Sequence, residues 1–410
     1  MKQLNFTQKI YLGAGLIIPK AFRAKVATIV SKLRQQRLNA RQVTLEKIIE
    51  SGAYYVKPPV TIAPVRQRIV HVIANFMTGG SSRLVVDLIE NLGGEYNQCV
   101  ITSFIPSPPA YTGLDIEECR FPSDETPFIK YFQRTQPDFV HIHYWGDCDE
   151  PWYAKAIEAA RQLGLPVIEN INTPVAPYIS DAVVRYVYVS DYVRHVFGQE
   201  DSQHITIYPG SDFSHFTRES HENIPDDCVG MVYRLENDKL NEQSIEPFIR
   251  IAQRRPQTQI LIVGGGSLLA PFQKATELAG VKDCFEFTEY VSYDALPELY
   301  RRMSVFIAPV WKESFGQVSP FAMNMQVPVI GYDIGAIGEI VGNLQLLAPP
   351  ADADKLADIA IALLDSPERR ELIGQQQRYR AQEHFCIQAM IKSYSKLYAE
   401  ISHTQKSASL

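Results

Sequence analysis

FIAPVWKESFGQVSPFAMNMQVPVIGYDIGAIGEIV, residues 306–341, carries the pattern from which the rest of the chain can be read. An apolar run from Val305 to Val310 breaks at Trp311, Lys312, Glu313, Ser314, Phe315 and Gly316. The chain then takes up helical spacing and ends in a second apolar run, Val327 to Ile330. This reads as strand, loop, helix, strand, with a carboxylate and a glycine where the first strand ends. Open parallel α/β sheets bind ligands outside the carboxyl ends of their strands, so this loop is where a site is expected.

Outward from this stretch the same rhythm repeats. Strands are expected at Cys228 to Tyr233, Gln259 to Val263, Cys284 to Thr288 and Leu344 to Ala348, with helices between. An earlier series opens with RIVHVIA (68–74), a loop through Gly79 and Gly80, and a helical pattern from Ser81 to Asn91. It continues with strands at Cys99 to Phe104, Phe139 to Tyr144, Pro166 to Ile171, Tyr186 to Ser190 and His204 to Tyr208. Such alternation argues for two mostly parallel sheets, each covered on both faces. The Pro, Gly, Ser and Asp-rich passage 209–227 separates the series. The expected layout is an arm and linker over 1–67, a first domain over 68–215, a second over 216–386, and a last helix and tail over 387–410.

With 410 residues and 46% hydrophobic composition, the chain has material for two cores of ~100–200 residues each. Its net charge of −6 conceals an asymmetry. The first 68 residues are rich in Lys and Arg but hold only Glu46 and Glu50 as acids, which suits an anionic surface or partner. Within them Phe22, Val26, Ile29, Val30 and Leu33 line one face of a basic helix, which could lie on an anionic membrane or against the protein's own body. Six scattered cysteines without a C-x-x-C pair read as reduced thiols in a cytoplasmic protein. No apolar run approaches the ~18–20 residues that span a bilayer.

Candidate chemistry lies at strand ends. Arg234 and Lys239, in YRLENDKL (233–240), leave the second domain's first strand, and two cations there suit a diphosphate. Gly264, Gly265 and Gly266 stand between strand and helix, where backbone amides can approach an anion or simply make a tight turn. Glu313 offers a carboxylate to sugar hydroxyls, followed by Phe315, Gly316 and Gln317 at a helix start. Asp147-Cys148-Asp149, Tyr144-Trp145 and Trp152-Tyr153 are weaker candidates for metal or stacking chemistry.

YRLENDKL, VGGG (263–266), FEFTEYVSYDALPELYRRMSVFIAPVWKESFG (285–316) and VPVIGYDIGAIGEIV (327–341) together resemble the carboxyl-terminal domain of the retaining family 4 glycosyltransferases. MTGGSSRLVVDL (77–88), DFVHIHYW (138–145) and YPGSDFSHF (208–216) agree with that family's first domain, so the resemblance covers about residues 68–402. It implies the α/β GT-B fold, two facing Rossmann-like domains with an interdomain cleft, preceded here by the basic helical arm.

The resemblance also implies roles. Arg234 and Lys239 would hold the diphosphate of a nucleotide-sugar donor. Glu313 would face the donor sugar as the first glutamate of an E-x7-E motif, with Phe315, Gly316 and Gln317 near sugar and phosphate. Gly79 and Gly80 would close over the phosphates and acceptor, and His143 would face the donor sugar. No cofactor and no metal are expected. The acceptor would be a carbohydrate or, as the basic arm suggests, lipid-linked; the cysteines fit a cytoplasmic protein, peripheral on the membrane face if the arm meets lipid rather than the protein's own body, with nucleic acid not favoured. One position departs: Phe321 stands where the family's second glutamate binds ribose, and phenylalanine accepts no hydrogen bond. A non-catalytic relative that binds or scaffolds another transferase is therefore the rival expectation.

Overall fold

A computed structural model describes residues 66–218 and 225–408, so the expected arm helix and the linker lie outside the described residues. The chain divides into two compact units. Within the described residues, unit 1 takes 66–189, 193–207 and 394–408, and unit 2 takes the remainder. The division expected after residue 215 lies just inside unit 2, and the last helix contributes to both units.

In unit 1 the order is β1 (Arg68–Ile73), α1 (Gly80–Leu92), β2 (Asn97–Thr102), β3 (Ile116–Glu118), α2 (Thr126–Thr135), β4 (Phe139–Tyr144), α3 (Glu150–Gln162), β5 (Val167–Ile171), β6 (Val183–Tyr188), α4 (Asp191–Phe197) and β7 (His204–Thr206). The sheet runs β3-β2-β1-β4-β5-β6-β7, every pair parallel. Because successive side chains point to opposite faces, Val70, Val72, Val140 and Ile142 pack with Phe128, Phe132, Trp152 and Tyr153 on one side. Trp152 and Tyr153 are therefore core residues rather than an exposed stacking surface. Strand β3 escapes sequence reading because its three residues, IEE, form no apolar run.

Unit 2 continues with β8 (Cys228–Val232), α5 (Glu246–Arg254), β9 (Gln259–Val263), α6 (Leu269–Leu278), β10 (Phe285–Phe287), α7 (Leu296–Arg301), β11 (Val305–Ala308), α8 (Val318–Asn324), β12 (Val329–Tyr332), α9 (Ile337–Val341), β13 (Leu347–Ala348), α10 (Ala353–Leu364) and α11 (Pro367–His384); α12 (Ile387–Ala408) follows. Its sheet order is β10-β9-β8-β11-β12-β13, again wholly parallel. The expected strand from Leu344 is shorter than read. Leu344–Leu346 forms a 3-10 turn capped by the Asn343 side chain, which accepts from the Gln345 N–H at 3.0 Å.

The strand order positions the site of unit 2. Chain progress runs from β8 through β9 to β10 on one side, then returns to β11 on the other side of β8. The carboxyl ends of β8 and β11 therefore flank a topological switch point, where the loops on either side part and leave room for a ligand. Arg234 and Lys239 follow β8, and Glu313 follows β11.

Candidate functional site

Lys239 and Glu313 meet because their strands are neighbours. Val305 on β11 is paired with Val229 on β8, and the following loops are tied by the Trp311 N–H donating to the Lys239 carbonyl at 2.7 Å. Lys239 Nζ then donates to both carboxylate oxygens of Glu313, at 2.7 and 3.0 Å. Glu313 Oε1 also accepts the backbone N–H groups of Ser314 (3.1 Å) and Phe315 (3.4 Å). The Glu313 side chain is 1% exposed and that of Lys239 39%. The carboxylate is thus a held, neutralised acceptor, while the ammonium keeps donor capacity toward solvent.

Two glycines make this loop sterically feasible. Gly316 has φ +81°, and a Cβ there would stand 2.8 Å from Glu313 Oε2. Gly335, φ +58°, lies against the Glu313 backbone: a Cβ would come 2.2 Å from its carbonyl oxygen, which accepts the Ala336 N–H at 3.1 Å. Sequence reading did not single out Gly335. The signal was the IGAIGE run after β12, whose approach to Glu313 depends on the adjacent β11–β12 pairing.

The triple-glycine loop lies on the other flank of β8. Gly264 has φ +131° and a Cβ would stand 1.9 Å from the Tyr233 carbonyl oxygen; the Gly265 carbonyl accepts the Leu235 N–H at 3.0 Å. These glycines let the β9–α6 turn lie directly on the segment carrying Arg234. Arg234 pairs with Asp238 at 2.6 Å, and its side chain is 69% exposed. Unit 2 therefore gathers Arg234, Lys239, Glu313, Gly264, Gly265, Phe315 and Gly316 on the loops of three adjacent strands.

Other expected residues differ in setting. Gln317 directs its amide to the Gly210 carbonyl at 3.3 Å. Helix α8, which follows it, is only seven residues long. Phe321 on that helix joins an aromatic cluster, stacked on Phe216 at 4.1 Å between centroids and edge-on to Phe213 and Tyr293. In unit 1, Gly79 and Gly80 are exposed at the start of α1, and the Gly79 carbonyl accepts the Arg83 N–H at 2.9 Å. His143 on β4 is fully buried, its Nε2 3.0 Å from His71 Nδ1. Burial drives the ring of His143 well below the ordinary histidine range, and that of His71 down to about 4. Asp149, from the DxD sequence, accepts the Trp145 indole N–H at 2.9 Å.

Residues 214–380 match the family described as glycosyl transferases group 1. The matched segment makes up most of unit 2. The chain is similar to D-inositol 3-phosphate glycosyltransferase 2 of Catenulispora acidiphila, 27% identical over 317 residues, which cover 65% of this chain and 72% of that protein. Three further curated transferases are matched over 45%, 36% and 36% of their own lengths. Among solved structures, sucrose-phosphate synthase from Thermosynechococcus elongatus aligns with a TM-score of 0.61 at 19% identity, covering 83% of this chain and 100% of that one. Anabaena HepE in complex with UDP and glucose aligns with a TM-score of 0.63 at 15% identity, covering 81% and 99%. The chain thus has the GT-B architecture of two Rossmann-like units. Among the described residues, no helix is long and apolar enough to cross a membrane.

Proposed function

We propose that this chain moves a sugar from a nucleotide-diphospho-sugar to a carbohydrate acceptor with retention of anomeric configuration. The observation that carries the reading is the Lys239–Glu313 pair, set at the carboxyl ends of β8 and β11 with Arg234 on the same loop as Lys239. Arg234 and Lys239 take the diphosphate, and Glu313 accepts hydrogen bonds from sugar hydroxyls. The HepE complex with UDP and glucose supports this class of donor.

In the proposed reaction the bond between the anomeric carbon and the diphosphate oxygen breaks, and the diphosphate departs with the electron pair. The two cations offset the charge that grows on it, the kind of electrostatic contribution that is often the largest in catalysis. The acceptor hydroxyl attacks the same face and passes its proton to the departing phosphate oxygen, so no side-chain base is assigned. This reading gives His143 no contact with the donor. The basic arm, read from sequence, would bring the enzyme to an anionic membrane and a lipid-linked acceptor; deletion of residues 1–65 should then reduce binding to anionic liposomes.

The test is donor hydrolysis and transfer across a panel of nucleotide sugars, with Glu313→Ala and Lys239→Ala as controls. Absence of nucleoside-diphosphate binding and of turnover across the panel would overturn the enzyme reading. It would favour the second one, a non-catalytic binding relative. Phe321 favours that alternative, because its ring is committed to Phe216 and supplies no acceptor for ribose.

A further inference from the structure

Three histidines of unit 1 meet on one face of its sheet. His71 on β1 is the register partner of His141 on β4, and His143 lies two residues farther along the same face. All three are fully buried. Ring centroids stand 5.3 Å apart for His71–His141, 5.3 Å for His71–His143 and 4.2 Å for His141–His143. One ring nitrogen from each residue lies within 4.8 Å of those of the other two, and among the described residues no carboxylate or thiol joins the group.

The hydrogen bonds around the rings assign one proton outright. Gln98 donates its amide nitrogen to the Leu88 carbonyl at 3.1 Å, which turns its oxygen toward His71 Nε2 at 2.9 Å. An amide oxygen only accepts, so His71 carries its proton on Nε2 and presents a lone pair from Nδ1. That lone pair faces His143 Nε2 at 3.0 Å, while His141 engages the Tyr398 hydroxyl through Nδ1 at 2.7 Å. His141 Nε2 and His143 Nδ1 are left buried without a hydrogen-bond partner. Buried polar atoms are nearly always satisfied, and a bound ion is one of the few explanations for orphans.

We propose that His71, His141 and His143 bind one divalent transition-metal ion, one nitrogen from each ring. The cation takes the place of the single proton between His71 Nδ1 and His143 Nε2 and uses the unpartnered His141 Nε2. An all-imidazole set selects zinc-like ions over magnesium or calcium, which take oxygen ligands. Two nitrogens on a tetrahedral zinc stand roughly 3.3 Å apart, close to the 3.0 Å between His71 and His143. Gln98 and Tyr398 occupy the outer positions that fix ring orientation in metal-bound histidines. The ion would join adjacent strands β1 and β4 inside unit 1 through three protein ligands, apart from the residues of the sugar-transfer reading.

The full-length chain, stripped with a chelator and shown to remain folded by circular dichroism, is titrated with zinc by calorimetry and with cobalt by visible absorption. The expected result is about one zinc per chain, a cobalt d–d band, and a thermal midpoint raised by metal. His141→Ala and His71→Gln should abolish all three, and Gln98→Ala should weaken zinc binding ~10–100-fold. A folded wild-type chain that takes up no zinc overturns the proposal. So does unchanged stoichiometry in folded His71→Gln and His141→Ala; should either variant fail to fold, the wild-type titration still decides.

Discussion

The ammonium of Lys239 touches both carboxylate oxygens of Glu313, although the two residues leave different strands and lie far apart in sequence. Removing the cation leaves a sealed carboxylate unpaired. Lys239→Met should therefore destabilise unit 2 by roughly 2 kcal/mol, below the ~3–5 kcal/mol of fully buried pairs because Lys239 is partly solvated. Denaturant unfolding measures this. Sugar transfer should fall by about 10²–10³ in kcat/KM, as for loss of one charge-stabilising donor.

Arg234 separates binding from folding. Its side chain is 69% exposed and its pair with Asp238 lies at the surface. Arg234→Ala should change stability by less than about 0.5 kcal/mol while weakening nucleoside-diphosphate binding about 10–100-fold, the worth of a charge-assisted contact of ~1.5–3 kcal/mol. Calorimetry on the folded variant reads both quantities apart.

Gly335→Ala tests whether the Glu313 loop depends on its neighbour. The added methyl would stand 2.2 Å from the Glu313 carbonyl oxygen in a left-handed conformation. The backbone of Glu313 has to move, so activity should drop with a thermal midpoint lowered by the equivalent of about 2 kcal/mol. Gly79→Ala, where a Cβ meets nothing within 4 Å, is the contrasting control for stability.

Phe321→Glu restores the carboxylate that the resemblance leads one to expect. The substitution removes a ring stacked at 4.1 Å on Phe216. It should cost about 3 kcal/mol, in the range for loss of a packed aromatic, without tightening donor binding. A gain in donor affinity at unchanged stability would show that the aromatic cluster does not govern this position.

Glu169 on β5 gives unit 1 a pH dependence. Burial raises its carboxyl to about 8, with the Tyr178 N–H opposing the shift, and its Oε2 has no hydrogen-bond partner. The unfolded chain loses this proton near pH 4.5 and the folded chain near 8. Between those values the unfolded state binds fewer protons, so stability falls as pH rises and is full only below the lower value. Glu169→Gln should be nearly neutral at pH 4.5 and stabilising by on the order of 3 kcal/mol at pH 7, read from paired denaturant curves.

Most strands of both sheets, β3 excepted, were legible because buried parallel strands are apolar runs, and Lys239, Glu313 and the glycines at 264–266 and 316 were legible as interruptions at their ends. What was not legible depends on register between distant segments. His141 and His143 show their alternation in sequence, but nothing local joins them to His71 on another strand. Gly335 gains meaning only where its backbone meets Glu313. Phe321 stood out as a missing acceptor, whereas its stacking on Phe216 required the fold.

Helix α12 has a consequence for the order in which the protein is made. Its residues Tyr394 and Tyr398 are buried in unit 1, hydrogen-bonded to Asn170 and His141. The strands they cover are synthesised first, yet these two side chains arrive only after all of unit 2 has been translated. On the ribosome, β4 and β5 must wait without the two tyrosines that cover His141 and Asn170, and unit 2 has every residue it needs before its predecessor does.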